Sequence, residues 1–197
     1  MRSLPKHTVH RNRTALQIVV GVAVSTAPIL HTLSDAVEWF QGGFSTSQLW
    51  LSYIAFLVFS WLLLGIDVVR KRRLGLAGLI GALLYGVAFT FFAHTALYAL
   101  AERTSTYEAL WQRLGPAYTV HGALMVIGGL VFSWSALRAG WLPRSAIVLF
   151  ASGLLVNLIL ALTPAPGILQ TIGTAIRNLG LVWMGIAILF PDFKVQA

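Results

Sequence analysis

Six runs of apolar residues, each long enough to cross the hydrocarbon core of a bilayer, take up nearly all of this chain. A span needs about 20 residues at 1.5 Å rise. Backbone polar groups in lipid must be satisfied within the chain, so runs of this length are helices. They read as 15–40, 47–69, 74–101, 117–138, 145–163 and 167–190. The expected fold is therefore all-α: a polytopic membrane protein with six transmembrane helices in one domain, 15–190. A basic segment, 1–14, precedes it and a short tail, 191–197, follows. Only 10% of the 197 residues are charged, against about 25% in soluble domains. No stretch is left over for a separate soluble catalytic domain. The absence of Cys excludes disulfides, thiolate metal ligands and thiol redox chemistry.

Punctuation between the runs is chemical. Gln41-Gly42-Gly43, Arg70-Lys71-Arg72-Arg73, the polar stretch Glu102 to Pro116, Gly140-Trp141-Leu142-Pro143-Arg144 and Thr163-Pro164-Ala165-Pro166-Gly167 all stop helices. Threaded through these turns, eleven of the fourteen Lys and Arg fall on one side: Arg2, Lys6, Arg11, Arg13, Arg70 to Arg73, Arg138, Arg144 and Lys194. Only Arg103 and Arg113 fall on the other, and Arg177 lies within a span. The positive-inside rule then places both termini in the cytoplasm and the protein in the cell (inner or plasma) membrane. A net charge of +8 is thus a topology signal and a contact for anionic lipid. Short basic loops against a membrane form no groove for nucleic acid. A rival reading takes Arg11, Arg13, the run Ala15 to Val24 and Ser25-Thr26-Ala27 as a signal peptide. Apolar sequence continuing past Ala27 favours a span.

The few polar residues inside the spans gather in the half facing away from the cytoplasm. In span one, His31, Asp35 and Glu38 stand at i, i+4 and i+7 on one face. Pro28, just before them, predicts a kink. Span three carries the ladder Thr90, His94, Tyr98 and Glu102, and span six carries Gln170, Thr174 and Arg177 or Asn178. Tyr118 and His121 share a face of span four, and Asn157 lies in the outer half of span five. A charge at the bilayer centre costs about 2.5–3.5 kcal/mol on insertion scales, so such groups face a bundle interior and carry partners. The candidate ligand-binding set is His31, Asp35, Glu38, His94, Tyr98, His121, Asn157, Arg177 and Asn178.

That set points first to binding or translocation of a small molecule, a lipid or an ion. In size and layout alone, six helices in under 200 residues resemble the substrate-binding components of energy-coupling vitamin transporters. Three alternatives stand beside it. One is a membrane subunit or assembly partner of a larger complex or homo-oligomer, its polar groups serving only to pair helices. Another is an intramembrane enzyme, isomerising or cyclising a lipid with His31, Asp35 and Glu38, or holding a metal with His94 and His121. The last is a redox subunit with haem b between His94 and His121.

Packing signals are ordinary. Ala77-xxx-Gly81, Ala82-xxx-Gly86, Gly180 and Gly185 permit close helix approach, and Ala151-Ser152-Gly153 belongs with them. Trp39, Trp50, Trp111 and Trp141 suit the interface, whereas Trp61, Trp134 and Trp183 are expected in the core. Val58-Phe59-Ser60-Trp61 recurs as Val131-Phe132-Ser133-Trp134, which suggests repeated hairpins. Glu102 to Pro116 is expected to form a surface helix, with Ala109, Leu110, Trp111 and Leu114 toward lipid and Glu108 and Arg113 in water. It would cover His94 and His121. Arg177 is expected to pair with Asp35 or Glu38, which requires the first and last spans to be neighbours.

Overall fold

A computed structural model of the chain describes residues 14–69, 74–163 and 167–191. The segment 1–13 and the tail 192–197, Arg70 to Arg73 and Pro164 to Pro166 lie outside the described residues. Much of the basic charge used for orientation and part of the signal-peptide reading therefore do too. Every regular element described is helical: α1 (Ala15–Gln41), α2 (Thr46–Val68), α3 (Gly75–Ala101), α4 (Tyr107–Leu114), α5 (Pro116–Ala139), α6 (Arg144–Ala161) and α7 (Gly167–Leu189). All but α4 are long and apolar enough to cross a bilayer. Each coincides with one expected span, with shifts of at most two residues.

Local chemistry sets the boundaries. Thr14 and Gln17 form a reciprocal capping box at the start of α1. Ser45 caps α2 and Thr106 caps α4 through side-chain oxygens. Gly42 and Gly140 end α1 and α5 in the left-handed region, at φ 69° and 68°, where a Cβ would be strained. Helix α1 runs unbroken through Pro28, and Thr32 Oγ1 donates to the Pro28 carbonyl at 2.9 Å.

The long helices close into a ring. Their contacts run α1–α2–α3–α5–α6–α7 and back to α1, so the first and last helices are neighbours. Glycines let the backbones meet. A Cβ on Gly81 would strike Phe132 and Gly128 of α5, and one on Gly86 would strike the Ser60 carbonyl of α2. Gly180 meets Phe150 and Ala146 of α6, and Gly185 meets Ser25 and Gly21 of α1. The recurring Val-Phe-Ser-Trp motif acquires a different meaning here. Its two copies lie on α2 and α5, the two neighbours of α3, and each is received by one α3 glycine. Phe59 and Phe132 are fully buried, while Ser60 and Ser133 donate to the carbonyls one turn earlier.

Two expectations about side-chain direction are corrected. Trp61 is 70% exposed and Trp134 50% exposed, so both face out of the bundle, because lipid solvates an indole that water would drive inward. In α4, Leu110 is buried against Leu49 and Ala99, and Leu114 packs on the same cluster. These two leucines turn toward the bundle, and Trp111 alone of that group is well exposed. Phe44 N–H donates to the Ser105 carbonyl at 2.8 Å, tying the α1–α2 turn to the segment leading into α4.

Candidate functional site

All six long helices meet at Arg177. It is 2% exposed, halfway along α7. Gly153 of α6 packs so closely on its backbone that a Cβ there would strike it. Its guanidinium carbon lies 5.7 Å from the ring centre of Phe59 on α2 and 5.5 Å from that of Phe89 on α3. Nη1 donates to Met125 Sδ of α5 at 3.2 Å. Nε and Nη2 donate to the neighbouring Asn178 Oδ1 at 3.3 and 3.2 Å, and Nη2 reaches His31 Nδ1 of α1 at 3.2 Å. A cation that is always charged is thus held among ring faces, a thioether and two neutral polar groups.

His31 is the pivot of the site. Its Nδ1 also lies 3.2 Å from Asn178 Nδ2, which in turn donates to Thr32 Oγ1 at 2.9 Å. Arg177 has no acceptor to offer, so Nδ1 must receive and the ring proton sits on Nε2. Nε2 lies 3.5 Å from Asp35 Oδ1. The order is guanidinium, imidazole, carboxyl group, with His31 bridging two groups that do not touch. Among the described residues no carboxylate lies within ion-pair reach of Arg177. This corrects the expected direct Arg177–Asp35 or Arg177–Glu38 pair. The physical reason is helical rise: Asp35 and Glu38 sit one and two turns nearer the α4 end than His31, which alone stands level with Arg177.

A second polar group continues the line. Gln48 Nε2 donates to Ser34 Oγ at 3.0 Å and Ser52 Oγ at 3.1 Å, and lies 3.5 Å from Glu38 Oε2. Ser34 and Ser52 hydroxyls are 2.6 Å apart. Thr32, Ser34, Gln48, Ser52 and Met125 were not singled out from sequence. Gln48 and Ser52, at i and i+4 on α2, were the available signal.

The remaining candidates lie elsewhere. Asn157 Nδ2 donates to Thr174 Oγ1 at 3.0 Å between α6 and α7, leaving a buried Oδ1 without a partner. His94 is exposed on α3, its Nδ1 2.8 Å from the Thr90 carbonyl, and Tyr98 is exposed on the same helix. His121 bonds the Ala117 carbonyl at 2.7 Å and lies flat on Phe91, ring centres 3.7 Å apart. Among the described residues no three His, Asp or Glu side chains gather closely enough to hold a metal ion. Helix α4, the expected lid, packs on Leu49 and Ala99, with Tyr107 edge-on to Tyr118 at 5.5 Å.

Comparison with family models, with curated proteins and with solved structures found no match to this chain.

Proposed function

We infer that the chain is a multi-pass protein of the cell membrane, with both termini in the cytoplasm, that binds or translocates a small molecule or ion. Its site is His31, Asp35, Arg177 and Asn178, approached from the α4 end past Glu38. The observation that carries this reading is a one-sided gradient. Side-chain exposure falls from Asp35 at 18% to His31 at 9%, and whole-residue exposure falls from His31 at 7% to Arg177 at 2%, which closes the line. Polar groups that only paired helices would have no reason to form a graded line ending in a cation without a touching acid. Glu38, Asp35 and His31, each one helical turn from the next, can hand a proton or a polar ligand inward by small side-chain movements.

The test combines two measurements on purified protein. Native mass spectrometry of gently extracted protein reports any bound small molecule or companion protein. Proteoliposomes loaded with a pH-sensitive dye report proton movement under an imposed gradient. A bound species or a proton flux that Asp35→Asn and Asn178→Ala each reduce about tenfold supports the reading. Protein that carries no ligand, moves no protons and co-purifies with a stoichiometric partner is instead a subunit of a complex.

A further inference from the structure

At the opposite end of the bundle from α4, α3 and α5 enclose an open groove of about 360 Å³, lined by Leu74 to Ala77 and by Trp134, Ser135, Arg138 and Ala139. Three features of its wall converge on one kind of ligand. The first turn of α3 has no side-chain cap, so the amides of Gly75, Leu76 and Ala77 present the positive end of a 27-residue helix. The Leu74 N–H just before them is already taken, donating to Asp67 Oδ1 at 2.8 Å, which commits that carboxylate to the turn. Arg138 is exposed, lies 3.8 Å over the Trp134 ring and has no acidic partner among the described residues. Ser135 is 4% exposed, yet among the described residues its hydroxyl has no hydrogen-bond partner. Among the described residues, a buried hydroxyl, an uncapped helix start and a guanidinium with no acidic partner form a donor set without its acceptor.

The apolar part of the wall says where that acceptor is attached. Leu76 is 73% exposed and Trp134 half exposed, and both stand beside the donors on helices long enough to span a bilayer. Phosphate oxygens on the donors and acyl carbons along Leu76 and Trp134 would satisfy both halves at once. A free anion would leave the apolar half uncovered. The sequence leading into Leu74 is Arg70-Lys71-Arg72-Arg73, which favours net negative charge in the occupant.

We propose that this groove is a binding site for the headgroup of an anionic phospholipid. Arg138 and the first α3 amides hold the phosphate, Ser135 donates to it, and Trp134 and Leu76 receive the start of the acyl chains. The site is independent of the one around Arg177.

The experiment is a native-mass-spectrometry titration of delipidated protein with a phosphatidylglycerol, with a phosphatidylcholine of the same chains, and with inorganic phosphate. Wild type should take up one phosphatidylglycerol at least about fivefold more tightly than phosphatidylcholine. Arg138→Gln should weaken that binding about fivefold, the equivalent of one lost interfacial charge. Ser135→Ala should weaken it about twofold. Arg144→Gln, an exposed base at the same end outside the groove, should leave it unchanged. Equal uptake of the two lipids, equal effects of Arg138→Gln and Arg144→Gln, or displacement of the lipid by inorganic phosphate at matched concentration would each overturn the proposal. Arg138 is a surface residue, so an unchanged melting temperature for its variant ties any loss to binding.

Discussion

The nearest acid to Arg177 is one imidazole away, and that arrangement fixes what substitutions should do. Replacing Arg177 with Leu removes a buried cation, strips Asn178 Oδ1 of both its donors and leaves His31 Nδ1 with Asn178 Nδ2 alone. It should destabilise the protein by about 3 kcal/mol or more, read from denaturation in detergent micelles. Arg177→Lys should recover little, because an ammonium cannot reach Nδ1 of His31 and Oδ1 of Asn178 with a planar fork. Double-mutant cycles then rank the partners. Arg177 with His31 should couple by about 1 kcal/mol or more, Arg177 with Asp35 by less, and Arg177 with Glu38 by nothing measurable. Strongest coupling to Glu38 would mean that the imidazole does not bridge Arg177 to Asp35. Gly153→Ala should cost about 1–3 kcal/mol, since its new methyl group would press on the backbone that positions Arg177.

For whole helices, periodicity located elements well and faces poorly. The six spans and the short surface helix were legible because lipid leaves the chain no other way to satisfy its backbone, and because capping residues and glycines mark the ends. Which side of a helix points inward was legible only where polar contrast was steep. On α1 it was: His31, Asp35 and Glu38 share a face, and that face looks into the ring. On α3 the same i, i+4 spacing led outward at His94 and Tyr98, because α3 is apolar all round. Its inward face is marked by the small residues Gly78, Gly81, Ala82 and Gly86, with the large, fully buried Tyr85 among them, rather than by a polar stripe. Trp61 and Trp134 misled for the related reason that a large aromatic gains nothing from burial when its surroundings are already apolar. The role of Met125 had no polar signal at all. In α4, spin labels at Glu108, Leu110 and Gln112 test the corrected orientation. The label at position 110 should be immobilised, while those at 108 and 112 remain mobile. Uniform mobility would mean that the helix does not dock on Leu49 and Ala99.

Across the whole molecule, the proposed orientation predicts labelling from outside the cell. A cysteine introduced at Thr106 should react with a membrane-impermeant maleimide in intact cells, and one at Lys71 should react only after the membrane is opened. The reverse pattern would turn the Glu38–Asp35–His31 approach toward the cytoplasm. Closure of the ring by α1 and α7 also has a meaning in time. A ribosome delivers His31 and Asp35 long before Arg177. For most of synthesis, the acid-bearing face of the first helix is housed without the cation it will share. The centre can form only once α7 has entered the bilayer beside α1, so a nascent chain that stops short of α7 exposes the imidazole and acids of α1 without their cation.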